Sequence, residues 1–155
     1  MASSPYITAD GIFRMNQELS ERWQRRRHVV QALAAAAAEG DRSENAEYIY
    51  RKKELREIDR RIRYLQKRIP DLRVIDRIPD DQDAVFFAAY VTLLKDDKQE
   101  VRYRLVGPDE IDHAPGNISI DSPLARALLK KQIDDEITIQ VQDGAHHYLL
   151  LAIDY

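Results

Sequence analysis

The chain has 155 residues, of which 44% are hydrophobic and 33% charged, and its formal net charge is −3. This length suits one ordinary domain or two small ones, and the composition excludes a disordered chain. The absence of cysteine excludes disulfide bonds, thiolate zinc sites and a cysteine nucleophile. No apolar run approaches the roughly 20 residues of a membrane span and no signal-peptide pattern is visible, so we expect a cytoplasmic protein that binds no membrane.

A long helix is predicted near the start of the chain. Thr8-Ala9-Asp10-Gly11 offers an N-cap and a helix start. From there to Ala38 the chain has no proline, and its apolar residues recur mostly at intervals of three or four. Gly40 is a suitable helix stop.

A second helix is predicted from about Ser43 to Ile69, because Pro70 ends the pattern. Its apolar residues follow the alternating 3-4 spacing of a coiled coil: Leu55, Ile58, Ile62, Leu65 and Ile69. Helices joined by so few residues fold back on each other, so an antiparallel hairpin is expected.

After Pro70 the apolar period changes to two, which predicts a β-rich region. The predicted strands are Leu72–Val74, Val85–Leu93, Val101–Leu105, Ile118–Ile120, Ile137–Val141 and Tyr148–Ala152. The strand that starts at Val85 should be central, since it opens with a continuous apolar run. One short helix should begin after Ser122, with Pro123 in its first position. The predicted fold is α+β, with a coiled-coil hairpin domain over residues 1–70 and a small β-rich domain over 71–155.

The segment that connects the two helices is acidic, and two interpretations of Asp41 and Glu44 stay open. Their spacing is that of a capping box, in which both side chains satisfy N–H groups at a helix start. Alternatively, the two carboxylates complete a magnesium site whose other ligands belong to another protein, because Mg²⁺ prefers oxygen ligands and often takes only one or two carboxylates from one source. The two interpretations are compatible.

The second helix is strongly basic. Residues 51–68 contain nine Lys and Arg and only three Asp and Glu. Pairs such as Glu57–Arg61, four residues apart, would neutralise part of this charge. The remaining excess favours a nucleic-acid or acidic partner, and Arg25, Arg26 and Arg27 are candidates to extend the basic surface.

These segments resemble the Gre family of bacterial transcript cleavage factors. The resemblance lies in GDRSENAEY at 40–48 and the RKKELREIDRRIRYLQKRI helix, and it extends through ITADGIFRMNQEL, VFFAAYVTL, YRLVGPDEID and ISIDSPLARALLKK over nearly the whole chain. Arg42-Ser43 and the basic second helix resemble one branch of the family more than the other. In one departure, Ala88 stands where the family often has glycine.

The resemblance implies a C-terminal domain of FKBP-like fold that docks at the rim of the secondary channel of bacterial RNA polymerase, while the hairpin enters the channel. It implies that Asp41 and Glu44, assisted by Ser43, help to hold the second catalytic Mg²⁺ and its attacking water. The polymerase would then cleave the backtracked transcript. The positions that match the basic patch facing the RNA 3′ end are Lys52, Lys53, Arg56 and Arg60.

On this basis the chain is expected to stimulate the polymerase without being an enzyme itself. It should bind no cofactor stably alone, and it should be a monomer when free. A regulator that occupies the channel without cleavage, an independent nucleic-acid binder and a prolyl isomerase are alternatives. A loop surface for docking is formed in this interpretation by Ile118, Ser119, Asp121 and Pro123.

Overall fold

The computed structural model describes residues 3–39 and 45–155, and it divides the chain into two compact units. The hairpin unit is Ile12–Asp71, and the β unit combines Met1–Gly11 with Leu72–Tyr155. Long helices followed by a sheet confirm the predicted α+β class. None of the helices in the described ranges has both the length and the apolar character that crossing a membrane requires.

The hairpin unit is built from α1 (Ala9–Ala38) and α2 (Ala46–Arg68). The predicted cap of α1 is confirmed, since the Thr8 hydroxyl oxygen accepts a hydrogen bond from the Gly11 N–H at 3.0 Å. A single 3₁₀ turn, Ile69–Asp71, follows α2 and contains Pro70. The 23 residues of α2 span roughly 35 Å.

An apolar seam joins α1 and α2. Three of the predicted seam residues of α2 (Ile58, Ile62 and Leu65) are at most 3% exposed, and Val29 of α1 is fully buried against Ile58 and Ile62. The seam consists of Val29, Ile58 and Ile62, with Leu19 and Leu55 packed at its edge. Burial of these side chains supplies most of the stability of a helix pair, because the helices themselves are marginal in water.

Ion pairs across the seam show that the helices run antiparallel. Glu18, early in α1, pairs with Arg61, late in α2, at 2.8 Å. Arg25, further along α1, pairs with the earlier residue Glu54 at 2.8 Å. The partner numbers fall as the α1 numbers rise, which is the order that an antiparallel hairpin requires.

The β unit is a five-stranded sheet with the strand order β5-β4-β3-β7-β6. Its strands are β3 (Tyr90–Lys95), β4 (Gln99–Val106), β5 (Asn117–Ser119), β6 (Glu136–Val141) and β7 (Gly144–Asp154). Only the β4–β5 pair is parallel within this sheet. The central position of β3 agrees with the sequence prediction. A separate parallel pair, β1 (Tyr6–Ile7) with β2 (Arg73–Val74), includes a strand that the sequence did not predict.

One helix, α3 (Pro123–Leu128), packs on the sheet. Its predicted cap is confirmed, since the Ser122 hydroxyl oxygen accepts from the Ala125 N–H at 3.2 Å. Ala125 and Leu128 are fully buried in the core of this unit. The other core residues are Val85, Ala89, Val91, Leu93, Leu105, Ile120, Ile137, Tyr148 and Leu150.

The apolar run at Val85 is not a strand, which corrects the predicted start of β3. The Phe86 N–H donates to the Tyr155 hydroxyl at 2.8 Å, and that hydroxyl donates to the Ala84 carbonyl at 2.7 Å. Burial raises the pKa of the Tyr155 hydroxyl, which keeps it protonated for this bond. The Val85 N–H donates to the Lys131 carbonyl at 3.0 Å, so residues 84–86 bond to Tyr155 and to the segment before β6 rather than in the β3–β4 ladder. Val85 is apolar because it is buried in the core.

Ala88 has a φ of 73°, in the left-handed region that favours glycine. It is the third residue of a tight turn, in which the Ala89 N–H donates to the Phe86 carbonyl at 3.1 Å. A positive φ at this position of a turn is ordinarily supplied by glycine or asparagine. The departure from the family pattern at Ala88 is therefore a point of backbone strain.

We predict that Ala88→Gly stabilises the β unit by about 1 kcal/mol, because it relieves the strain of the left-handed conformation. The free energy of opening would be measured in the full chain by hydrogen exchange at the amides of Val91 and Leu93. The matched control is Ala89→Gly, since Ala89 is buried and lacks a positive φ. This control should lower the free energy of opening. If Ala88→Gly and Ala89→Gly lowered it equally, the backbone strain assigned to Ala88 would be contradicted.

Glu110 is a buried carboxylate, 2% exposed, that holds the start of α1 within the β unit. It accepts from the N–H groups of Thr8 at 3.0 Å and Gly107 at 2.9 Å, and also from the Thr8 hydroxyl. These bonds offset the cost of burying the carboxylate. A Cβ at Gly11 would lie 2.1 Å from a Glu110 oxygen, so the position requires glycine.

Candidate functional site

The predicted acids Asp41 and Glu44, together with Ser43, lie outside the described residues. The structure does define the chain on both sides of this connecting segment, residues 40–44. α1 ends at Ala38, and α2 begins at Ala46.

The cap of α2 is Asn45, which corrects the capping-box interpretation. Asn45 has extended backbone angles (φ −82°, ψ 103°), and its side-chain oxygen accepts from the Tyr48 N–H at 3.1 Å. A helix has one N-cap, so Asp41 is not the cap of α2. Sequence reasoning missed this role because Asp41, Ser43 and Asn45 are all good capping residues at alternate positions.

Asn45 also contacts the other helix. Its side-chain nitrogen donates to the Ala36 carbonyl at 2.8 Å. Ala36 is 3% exposed and lies in the last turn of α1, and its carbonyl also accepts from the Glu39 N–H at 3.2 Å. The Asn45 side chain therefore bonds to backbone groups of both helices.

Six basic side chains of α2 form an exposed group that we call the basic stripe. Five of them follow one another at intervals of three or four residues, which places them on one face of the helix. Among the described residues, the ion pairs of α2 involve other side chains. The stripe consists of Lys52, Lys53, Arg56, Arg60, Arg63 and Lys67, and it includes all four basic positions singled out by the resemblance.

Two acids of α2, Glu54 and Asp59, are paired with arginines of α1. Glu54 accepts from Arg25 at 2.8 Å and from Arg51 at 2.9 Å. Burial would raise the pKa of Glu54, but these two guanidinium groups outweigh it and hold the pKa below its usual value. Asp59 pairs with Arg26 at 2.7 Å. Arg25 and Arg26 of α1 therefore neutralise Glu54 and Asp59, so these two acids do not offset the charge of the basic stripe. Because they are paired in this way, Arg25 and Arg26 do not extend the stripe as the sequence suggested.

The predicted Glu57–Arg61 pair is replaced by a pair between the helices. Arg61 donates to both oxygens of Glu18, at 2.8 and 2.9 Å. The hydrogen bond from Arg61 is the largest cause of the lowered pKa of Glu18, so this carboxylate is ionised well below neutral pH. Spacing on one helix could not reveal a partner on the other.

The predicted docking loop is held by one local hydrogen bond and one to the N-terminal segment. The Ser119 hydroxyl oxygen accepts from the Asp121 N–H at 3.0 Å, and an Asp121 carboxylate oxygen accepts from the Ser4 N–H at 2.8 Å. Ile118 is half-buried against the core, and Pro123 begins α3. Ser119 and Asp121 are thus placed in one short turn.

No group of three or more metal-ligating side chains is assembled within residues 3–39 and 45–155. The adjacent histidines have separate partners. His146 contacts Asp96 at 3.0 Å, and His147 contacts Thr138 at 2.9 Å. A metal role is therefore not supported for this pair.

Comparison with known families gives matches to both parts of the chain. Residues 5–74 match the family described as "Transcription elongation factor, N-terminal", and residues 80–155 match "Transcription elongation factor, GreA/GreB, C-term". The chain belongs to the GreA/GreB family of transcription elongation factors. This assignment confirms the resemblance to the Gre family.

Among its relatives, transcription elongation factor GreB of Xanthomonas axonopodis pv. citri (strain 306) is 57% identical, and the match covers 99% of this chain and 92% of the relative. GreB of Pseudomonas aeruginosa is 50% identical over the same shares. The GreB branch is thus the one that the sequence favours. The crystal structure of Gfh1 of Thermus thermophilus is 20% identical, covers 97% of this chain and 98% of that chain, and gives a TM-score of 0.44.

Proposed function

We propose that this chain inserts its hairpin into the secondary channel of bacterial RNA polymerase and stimulates the Mg²⁺-dependent cleavage of backtracked transcripts. The observation that carries the proposal is the basic stripe, which begins eight residues after Glu44 on a hairpin of a GreA/GreB-family factor. An acidic pair beside a phosphate-attracting face is the combination that RNA hydrolysis at a shared metal site needs.

Asp41 and Glu44 fit a shared magnesium site by the chemistry of their donors. Both supply carboxylate oxygens, and two carboxylates alone would require further ligands from a partner. The capping of α2 by Asn45 supports this assignment, because that helix does not need Asp41 as its cap. When bound, the second Mg²⁺ supplies an activated water and neutralises charge at phosphorus. The two carboxylates would hold the ion jointly with the polymerase, and Ser43 would assist them.

The basic stripe would attract the extruded RNA. Six exposed cations along one helix face bind phosphates without reading the base sequence. In this proposal Lys52, Lys53, Arg56 and Arg60, the members nearest to the acidic pair, contact the 3′ end of the backtracked transcript. Positive charge held in this way would keep the scissile phosphate near the carboxylates.

The β unit would dock at the rim of the channel, and the chain itself would not be an enzyme. It would act in the cytoplasm as a monomer when free and would bind no cofactor stably alone. The principal alternative is a regulator that occupies the channel without promoting cleavage. The acidic pair favours cleavage, since both carboxylates are retained in the sequence.

We predict that Asp41→Ala and Glu44→Ala each lower the stimulated cleavage rate by about 100-fold, because each removes a charged group that acts on the transition state. The rate would be measured on a stalled, backtracked polymerase complex at a saturating concentration of the chain. Affinity for the polymerase should be unchanged. Glu39→Ala, an exposed acid just before the connecting segment, should keep the parental rate. Full stimulated cleavage with the Asp41→Ala/Glu44→Ala double variant would contradict a role for the two carboxylates in cleavage.

We predict that Lys52→Ala/Lys53→Ala weakens the response to long backtracks most strongly at low salt. Each lost phosphate contact removes about 0.7 from the slope of log affinity against log salt concentration for a single strand. The difference from the parent chain should therefore shrink as salt rises.

The charge-matched control for this prediction is Arg22→Ala/Arg25→Ala. Both arginines are paired with acids, Arg22 with Glu18 at 3.2 Å and Arg25 with Glu54 at 2.8 Å. This control removes the same two charges from the other helix and should keep the parental salt slope. Equal slopes for both double variants would reject a local role for the basic stripe.

A further inference from the structure

A groove of about 410 Å³, which we call the Trp23 groove, lies between α1 and α2. Its volume falls within the range of ligand sites in proteins. It is lined by Ile62, which is 3% exposed, and by Trp23, which is 40% exposed. The other lining residues are Arg26, Asp59, Arg63 and Gln66. The groove therefore combines an accessible aromatic ring and a buried aliphatic side chain with four polar side chains.

The charges of the Trp23 groove favour an anionic partner. Among the described residues that line it, Asp59 is the only acid, and Arg26 donates to Asp59 at 2.7 Å. Arg63, the remaining charged residue, belongs to the basic stripe. Because Arg26 and Asp59 neutralise each other, Arg63 gives the groove a net positive charge.

The basic stripe leads to this groove. Arg56, Asp59 and Arg63 are separated by three and four residues, so they follow one another along one face of α2. Arg63 lies eleven residues after Lys52, roughly 17 Å further along the helix axis. A chain of phosphates that follows the stripe from Lys52 therefore arrives at the groove.

The lining of the groove suits a nucleobase better than an aliphatic side chain of another protein. Bases of a single strand stack on aromatic rings with little regard to sequence, while nearby cations bind the backbone. Trp23 supplies the ring, and the Arg26 guanidinium, 6.0 Å from the ring centroid, supplies a second planar group for stacking. Gln66 carries both hydrogen-bond donors and an acceptor, which match the polar edge of a base. An aliphatic ligand would leave these polar groups without partners.

We propose that the Trp23 groove binds one base of single-stranded RNA, with the Trp23 indole as the stacking surface and Arg63 as a phosphate contact. The proposal extends the proposed function and rests on it for its biological setting, since the extruded transcript is the single strand that the hairpin would meet. The groove would bind only transcripts extruded far enough to reach the middle of α2. It would accept any base sequence, because stacking is sequence-tolerant.

The first test uses the fluorescence of Trp23, which is the only tryptophan in the sequence. Titration of the full chain with oligouridylate at low salt should quench this fluorescence saturably, because a stacked base contacts the indole. The control is inorganic polyphosphate, which carries the charge but has no bases. It should compete with oligouridylate for the basic stripe and leave the fluorescence near its starting value. Equal quenching by the two polymers, or no quenching by oligouridylate, would overturn the proposal.

The second test measures the affinity of full-chain variants for labelled oligouridylate. Trp23→Leu keeps an apolar side chain but loses the ring, and it should lower the affinity about fivefold or more, the effect of losing one stacked base. Its affinity for polyphosphate should stay parental. The matched control is Phe13→Leu, because Phe13 is an aromatic residue of α1 that is 66% exposed and lies outside the described lining of the groove. This control should bind both polymers as the parent does, and parental affinity of Trp23→Leu for oligouridylate would refute the stacking role.

Gln66→Glu tests the same groove without removing packing, since Gln66 is exposed. A carboxylate in the groove would repel phosphates, so the affinity for oligouridylate should fall more than with Gln24→Glu. The latter makes the same charge change at an exposed position of α1. Equal losses in these two variants would count against the groove.

All of these measurements are made without polymerase, so the two proposals fail separately. Parental RNA affinity in Trp23→Leu and Gln66→Glu would overturn the groove and leave the proposed function standing. Full stimulated cleavage with the Asp41→Ala/Glu44→Ala double variant would instead contradict the proposed function.

Discussion

The apolar seam between α1 and α2 is the interaction on which the other features of the hairpin depend. Val29, Ile58 and Ile62 are buried together, and their burial keeps two long helices side by side. Without this contact the ion pairs between α1 and α2 would contribute little to the stability of the hairpin, because exposed pairs are each worth about 0–1 kcal/mol. Near the other end of the hairpin, the Asn45 side chain donates to the Ala36 carbonyl of α1 at 2.8 Å.

The hairpin has two kinds of charged side chain: those in ion pairs between or along the helices, and the basic stripe on the exposed face of α2. Acids of both helices are paired with arginines across or along the seam, as Glu18 is with Arg61 and Glu54 with Arg25. The basic stripe, Lys52 to Lys67 along one face, receives none of these acids among the described residues. A net charge of −3 for the chain conceals this arrangement, since the acidic excess lies in the second half of the sequence. A local positive field on one helix face is the feature that suits a polyanion.

Much of the architecture followed from periodicity, because the patterns were strong. The 3-4 spacing from Leu55 to Leu65 predicted the seam, and Ser122 before Pro123 predicted the start of α3. The apolar run at Val85 misled the strand assignment, because a buried turn and a buried strand have the same composition. No pattern within residues 84–86 could reveal that the Tyr155 hydroxyl, distant in sequence, bonds to the Phe86 N–H and the Ala84 carbonyl.

Sequence spacing predicted which face of α2 carries the basic residues, but it could not predict contacts between the two helices. Lys52, Lys53, Arg56 and Arg60 could be placed on one face from spacing alone. The role of Asn45 could not, since its second partner lies on α1 and becomes a neighbour only after the hairpin folds. The roles of Asp41 and Glu44 were inferred from the acidic connecting segment and from the family resemblance, and they remain predictions.

The central claim is that this chain completes a metal site that belongs mainly to the polymerase. Its most direct test compares the Mg²⁺ dependence of transcript cleavage by one backtracked complex with and without the chain. If the chain supplies ligands, it should lower the Mg²⁺ concentration for half-maximal cleavage by about tenfold or more, since each added carboxylate strengthens binding of the ion. An unchanged half-maximal concentration, with only a higher maximal rate, would contradict the account.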